Sequence, residues 1–144
     1  MADGFNMSMT GNAELDRRLR LLPDKLQSRV VKKGIRAAGK PILKTAKARV
    51  PVETGALKKS LGTKLKTYRH SGNSVLIIGP RTDDRYTKGE RKPHKYAHLV
   101  ERGTKHIPAV PFMRFAFMSQ QDTAKREFQK KLEVDVEKEL GKQF

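Results

Sequence analysis

The sequence contains no cysteine and no tryptophan in 144 residues. Without a thiol there is no disulfide, no thiolate nucleophile and no Cys-ligated zinc. Aromatic residues make up 6% of the chain, and Tyr68, Tyr86 and Tyr96 are too scattered to form a platform for stacking bases. No apolar run approaches the ~18 residues that a membrane span needs. The first residues, Met1 to Met7, have neither the basic start nor the apolar centre of a signal peptide. The expectation is a soluble protein made and kept in the cytoplasm, with no membrane partner. Acidic residues are scarce too, 15 against 32 Lys and Arg, for a net charge of +17. At this length one domain is expected, with a lean core because only 36% of residues are hydrophobic.

Catalytic signatures are missing as well. No glycine-rich phosphate loop follows a strand, and no serine sits at a nucleophile elbow. Four histidines, His70, His94, His98 and His106, do not form a spaced ligand pair on one helix. Surface histidine is the expectation for them, with no metal and no cofactor. Glu53 and Glu101 are the two carboxylates embedded in motifs. A small nuclease built on Glu53, Glu101 and His98 is one reading, since paired carboxylates do acid–base work. The favoured reading is structural, each carboxylate accepting backbone N–H groups at a turn or pairing with arginine.

What the chain does have is positive charge, unevenly placed. Residues 13–50 carry twelve basic and three acidic side chains, and residues 57–95 carry eleven and three. Residues 119–144 carry six of each and are neutral. Such a field attracts polyanions without dictating fold or sequence readout. Duplex DNA and acidic protein neighbours are equally good partners for it. There is no helix-turn-helix signature or zinc-finger spacing, so DNA contact, if any, is with phosphates.

Residues 1–12 read as a flexible N-terminal arm, and residues 13–144 as a single domain. Leu15, Leu19, Leu22, Leu26 and Val30 recur at steps of three and four, which places them on one helical face. Asn12 is a plausible N-cap, and Pro23 either opens a second helix or kinks the first. Small and apolar positions continue to Val50, while the opposite face carries Arg29, Lys32, Lys33, Arg36, Lys40, Lys44 and Lys47. Gly39 and Pro41 are expected to bend or break this helix. Pro51 stops it, and Thr54 caps a short helical turn through Leu57 and Ser60.

Residues 61–79 read as a β-hairpin turning at 70–73. Residues 81–95 form a basic loop holding Arg81, Arg85, Lys88, Arg91 and Lys92. Tyr96 to Val100 fits a strand or a single helical turn. From about residue 113, Ala116, Ala124, Phe128, Leu132, Val136 and Leu140 make one narrow stripe of a long helix. The expected fold class is α+β: a long bent N-terminal helix over 13–50, a small antiparallel sheet within 61–102 and a long C-terminal helix.

Three short signatures punctuate this plan. They are Pro51-Val52-Glu53-Thr54-Gly55-Ala56-Leu57, Tyr96-Ala97-His98-Leu99-Val100-Glu101-Arg102-Gly103-Thr104, and Pro111-Phe112-Met113-Arg114. Their order, with the hairpin between the first two, resembles the tailed-phage neck or tail-completion (head–tail joining) family related to the minor tail protein Z of lambda-like phages. The resemblance spans residues ~13–140. Two positions depart from the pattern: Arg102 stands where an aromatic is common, and Phe115 where a proline is.

The resemblance implies a non-enzymatic structural virion protein of the head–tail connector, assembled in the host bacterial cytoplasm. It implies an oligomeric ring that joins or completes the tail at the capsid portal complex. Partners would be further copies of the chain, neighbouring head-closure, tail-terminator or tail-tube proteins, and the viral DNA in transit. A structural turn cluster of Pro51, Glu53, Thr54, Gly55, Leu57, Tyr96, Glu101, Gly103, Thr104, Pro111 and Phe112 is expected, with Glu101 and Thr54 tying the turn after the first helix to the sheet edge. The alternative is a non-sequence-specific architectural DNA-binding protein using the basic helix face and the 81–95 loop.

Overall fold

The first helical stripe is shared by two helices rather than one. In the computed structural model, which describes residues 13–51, 55–68, 70, 73–81 and 93–143, α1 spans Ala13–Arg20 and α2 spans Asp24–Arg49. The expected bend lies between them, where Leu21 and Leu22 donate three residues back to Arg18 and Leu19 in a tightened last turn. Pro23 then accepts from Gln27 N–H at 2.9 Å as the first carbonyl of α2. The Gln27 side chain donates at 2.7 Å to the Leu22 carbonyl, so the corner keeps its backbone acceptor satisfied.

The break expected at Gly39 and Pro41 does not occur, and α2 runs through both. Pro41 cannot donate to the Ala37 carbonyl, and both residues line an open groove. Packing along the rest of α2 holds the helix together. Val50 N–H closes it onto Ala46 at 3.0 Å, and the extended backbone of Val50 leads into Pro51.

A short helix α3 (Ala56–Ser60) leads into a two-stranded antiparallel hairpin, β1 (Leu61–Thr67) and β2 (Ser74–Pro80), in the register Leu61 to Pro80 and Leu65 to Leu76. One hairpin face lies on α2. Leu76 and Ile78 press onto Gly39, where a Cβ would lie 2.3 Å from Leu76 Cδ2. The other face carries Lys64 opposite Ile77 and Lys66 opposite Val75, all four exposed.

The sheet ends at Pro80, earlier than the 61–102 expectation. Residues Pro93–Arg102 form a helix, α4, so Tyr96 to Val100 is neither strand nor a lone turn. Pro93, Ala97 and Val100 turn inward at steps of four and three, a helical period that the short apolar run hides. Pro93, His94 and Lys95 belong to this helix and not to the basic loop. Residues 82–92 lie outside the described part, as does the proposed arm 1–12 with Asn12.

The last helix, α5 (Phe112–Gln143), packs antiparallel along α2. Near its start, Phe112, Ala116 and Ala124 join Ala38, Ile42, Ala46, Val50, Leu57, Leu61 and Ala97 in the main core. Near its end, Leu132 and Val136 join Leu15, Leu22 and Val30, with Phe128 touching both groups. Gly34 of α2 admits the Phe128 ring, whose Cδ2 would sit 3.0 Å from a Cβ there. The architecture is α+β, two long antiparallel helices with the hairpin, α3 and α4 at one end and α1 at the other.

Candidate functional site

The second and third signatures meet at the start of α5. A helix leaves its first four N–H groups without intrahelical partners, and here every one is accounted for. Pro111 has none to offer, and its carbonyl accepts from Phe115 N–H at 2.9 Å. Phe112 donates to Val110 O at 2.8 Å. Met113 and Arg114 donate to the two carboxylate oxygens of Glu101, at 3.0 and 2.9 Å. A proline side chain cannot cap, so the carboxylate comes from α4 instead, and its charge lies at the positive end of the helix dipole.

The segment between α4 and α5 is folded back by a few backbone contacts. Gly103, at φ +78°, ends α4 with its N–H on Leu99 O at 2.8 Å. Thr104 exchanges with the turn that follows: its N–H reaches Ile107 O, and its Oγ1 accepts from His106 N–H and Ile107 N–H. Val110 N–H returns to Val100 O at 2.9 Å. Leu57 and Phe112 are buried below, Tyr96 is half-buried, and Pro51 and Pro111 are exposed. Gly55 opens α3 at φ +74°. Thr54 and Glu53 lie outside the described residues. Both Glu101 oxygens accept from α5, which ties α4 to the last helix; the expected link through Thr54 from the turn after the first helix to the sheet edge falls on a residue outside the described part.

The second feature is the basic face. Arg29, Lys33, Arg36, Lys40, Lys44 and Lys47 follow one another at steps of four and three along α2, and Lys32 lies beside them. Between α2 and α5 runs an open groove of about 770 Å³. Lys33, Arg36 and Lys40 form one wall, and Lys130 and Lys131 stand on the other with Glu127. Among the described residues, no ion pair involves a cation of α2. In α1, by contrast, Arg17 and Arg18 pair with Glu14, and Arg20 with Asp16. The hydrogen bond and charge of Arg17, with those of Arg18, hold the Glu14 carboxyl below its ordinary value.

Arg81 does not join this face. Its side chain covers Gly62 and reaches toward the Thr63 carbonyl at 3.4 Å, while its N–H donates to Ser60 O at 2.8 Å. It serves the mouth of the hairpin. Arg85, Lys88, Arg91 and Lys92 lie outside the described residues.

A family model described as "Bacteriophage HK97-gp10, putative tail-component" matches residues 13–103, from the first turn of α1 to the glycine after α4. The chain belongs to this HK97-gp10-like family. No curated protein and no solved structure matches it. As a member of a bacteriophage tail-component family, the protein is a structural component of the virion. The match covers the first signature and all of the second but Thr104, and stops short of α5.

Two features of this HK97-gp10-like chain are not visible in its sequence. Lys130 and Lys131 were indistinguishable from the mixed charges of a solvated helix, and only the antiparallel packing brings them opposite Lys33 and Arg36. The destination of Glu101 was likewise hidden, although the proline that opens α5 signals a helix start in need of an outside cap. Among the described residues, no helix is long and apolar enough to cross a membrane.

Proposed function

We propose that this HK97-gp10-like subunit is a structural part of the head–tail connector, forming a ring that joins or completes the tail at the portal complex. The observation that carries the reading is apolar exposure on two separate elements. Val75 and Ile77 stand on the outer hairpin face, and Phe115 and Met118 on α5, all at least 40% exposed. A closed ring of identical subunits uses heterologous contacts, so each subunit needs two different sticky surfaces. Exposed large apolar side chains in groups mark such surfaces. The motif order of the neck and tail-completion proteins supports the same reading, with head-closure, tail-terminator or tail-tube proteins as neighbours.

Assembly is the test. Purified virions are examined by mass spectrometry for the chain and by cryo-EM at the head–tail junction. Ring density there, filled by α2 and α5, is the expected result. Val75→Asp with Ile77→Asp should leave a folded monomer by circular dichroism and abolish ring incorporation. Presence of the chain elsewhere in the particle, or normal rings from the double variant, would overturn the reading.

Glu101, one of the three residues of the nuclease reading, has both carboxylate oxygens bonded to the backbone of α5. The architectural DNA-binding reading keeps one specific observation in its favour: among the described residues, no ion pair involves the α2 cations from Arg29 to Lys47.

A further inference from the structure

We propose that the groove between α2 and α5 is a contact site for the phosphates of duplex DNA, gripped from both walls by Lys33, Arg36 and Lys40 on α2 and Lys130 and Lys131 on α5. The proposal rests on the connector reading only for the occasion on which the subunit meets a duplex, the passage of the genome through the joint.

The charge arrangement is costly without a counter-anion. Like charges at helical steps of three and four destabilise a helix by roughly 0.2–0.5 kcal/mol per pair. From Arg29 to Lys47 such pairs follow one another without interruption. Among the described residues, no ion pair relieves any of them, although the chain pairs the cations of α1. The run spans nineteen residues, about 27 Å of helix axis. A duplex presents roughly sixteen phosphate charges over that distance.

The groove favours a phosphate backbone over the two other polyanions. An acidic protein helix seated in a groove is held by apolar anchors at helical spacing. Besides its charged residues the groove is lined by Ala37, Pro41, Thr123 and the exposed Val134, so Val134 is its single large apolar side chain. A single strand would need aromatic rings on which bases stack, and none lines the groove. What is left is a charged trough matched to a backbone of regularly repeated anions. Glu127 is the one carboxylate in the lining, and it lies on the α5 wall with Lys130 and Lys131.

The test is fluorescence anisotropy of a labelled random-sequence duplex, titrated with full-length protein from about 50 to about 200 mM salt. Wild type is compared with the triple variant Lys33→Gln, Arg36→Gln, Lys40→Gln. A control triple removes equal charge from the exposed residues Lys64, Lys66 and Lys105. The groove triple should flatten the slope of log K against log salt by about two to three and weaken binding at least tenfold near the middle of the range. The control should change the slope by less than about one. Lys130→Gln should flatten it by about one, with Lys131 retained because its ammonium also faces Asp135 at 3.4 Å.

Equal losses in the groove and control triples would overturn the proposal in favour of diffuse attraction. An unchanged slope for Lys130→Gln would reduce the site to α2 alone and overturn the groove. Wild-type duplex binding by the groove triple, combined with its loss from particles, would assign the groove to an acidic protein neighbour instead. Circular dichroism melting verifies that each variant is folded. Ring incorporation is scored separately, so a failed connector reading leaves the binding result intact, and the converse also holds.

Discussion

The Glu101 carboxylate holds the backbone N–H groups of Met113 and Arg114 at 3.0 and 2.9 Å, binding the last turn of α4 to the first turn of α5. The bond spans two signatures that are separate in the chain. It also fixes the angle at which the long C-terminal helix leaves the junction. Glu101→Ala should cost about 2 kcal/mol, because two donors lose a charged acceptor at a helix N-terminus. Glu101→Gln, which keeps one carbonyl oxygen, should cost about half of that. Urea unfolding of the two variants checks the order, and equal, near-zero costs would remove the capping role.

The two left-handed glycines should respond differently to alanine. At Gly55 nothing lies within 4 Å of a new Cβ, so Gly55→Ala carries only the left-handed penalty of about 1 kcal/mol. At Gly103 a Cβ would lie 2.7 Å from Ala109 N and 3.0 Å from Ile107 O. Those are backbone atoms held by the Thr104 turn, so Gly103→Ala should cost at least about 1 kcal/mol more. Gly103→Val should impair folding or ring yield outright. Melting temperatures of the two alanine variants decide this, and identical shifts would mean that the 103–110 segment yields freely.

Asp135 is 7% exposed on α5, and its Oδ2 has no hydrogen-bond partner among the described residues. Its Oδ1 faces Lys131 at 3.4 Å, and that lysine is itself 44% exposed, so the pair contributes little. A buried carboxylate that is half satisfied is a net cost. Asp135→Asn should therefore be neutral or stabilising by up to about 1 kcal/mol in urea unfolding. A loss of stability would show that the charge itself is needed.

The α1 ion pairs give a pH signature of known sign. Arg17 and Arg18 lower the Glu14 pKa from its ordinary 4.5, so the group stabilises the fold above that value. The contribution fades as pH falls through the lowered folded-state value. Wild type should melt slightly above Glu14→Gln at neutral pH, and the difference should vanish in acid. A difference that persists or grows as the pH drops would contradict the pairing. The pairs lie on the surface, so salt should shrink the effect.

Much of this fold was legible in residue spacing. The leucines from Leu15 to Val30 and the stripe from Ala116 to Leu140 announce two long amphipathic segments, and both stripes are the faces that meet. The hairpin was legible for the same reason, alternation around a turn. The helix over Pro93–Arg102 was not, because ten residues with one short apolar run satisfy strand and helix periods alike. Pro41 misled in the opposite direction, since a proline breaks a helix only where neighbouring packing does not make up for the lost bond.

By itself the sequence determined the charge, the element periods and the family to which the chain belongs. These are set by neighbours in the chain or by the order of short motifs. Tertiary structure alone decided which groups meet across the molecule. It brought Glu101 to the start of α5, Phe128 against Gly34, and Lys130 and Lys131 across from Lys33, Arg36 and Lys40. The physical reason is that antiparallel packing of α2 on α5 reverses the chain order of their surfaces. Periodicity shows which face of a helix is charged, but the opposing wall of a groove is fixed only when two helices lock their apolar stripes in register.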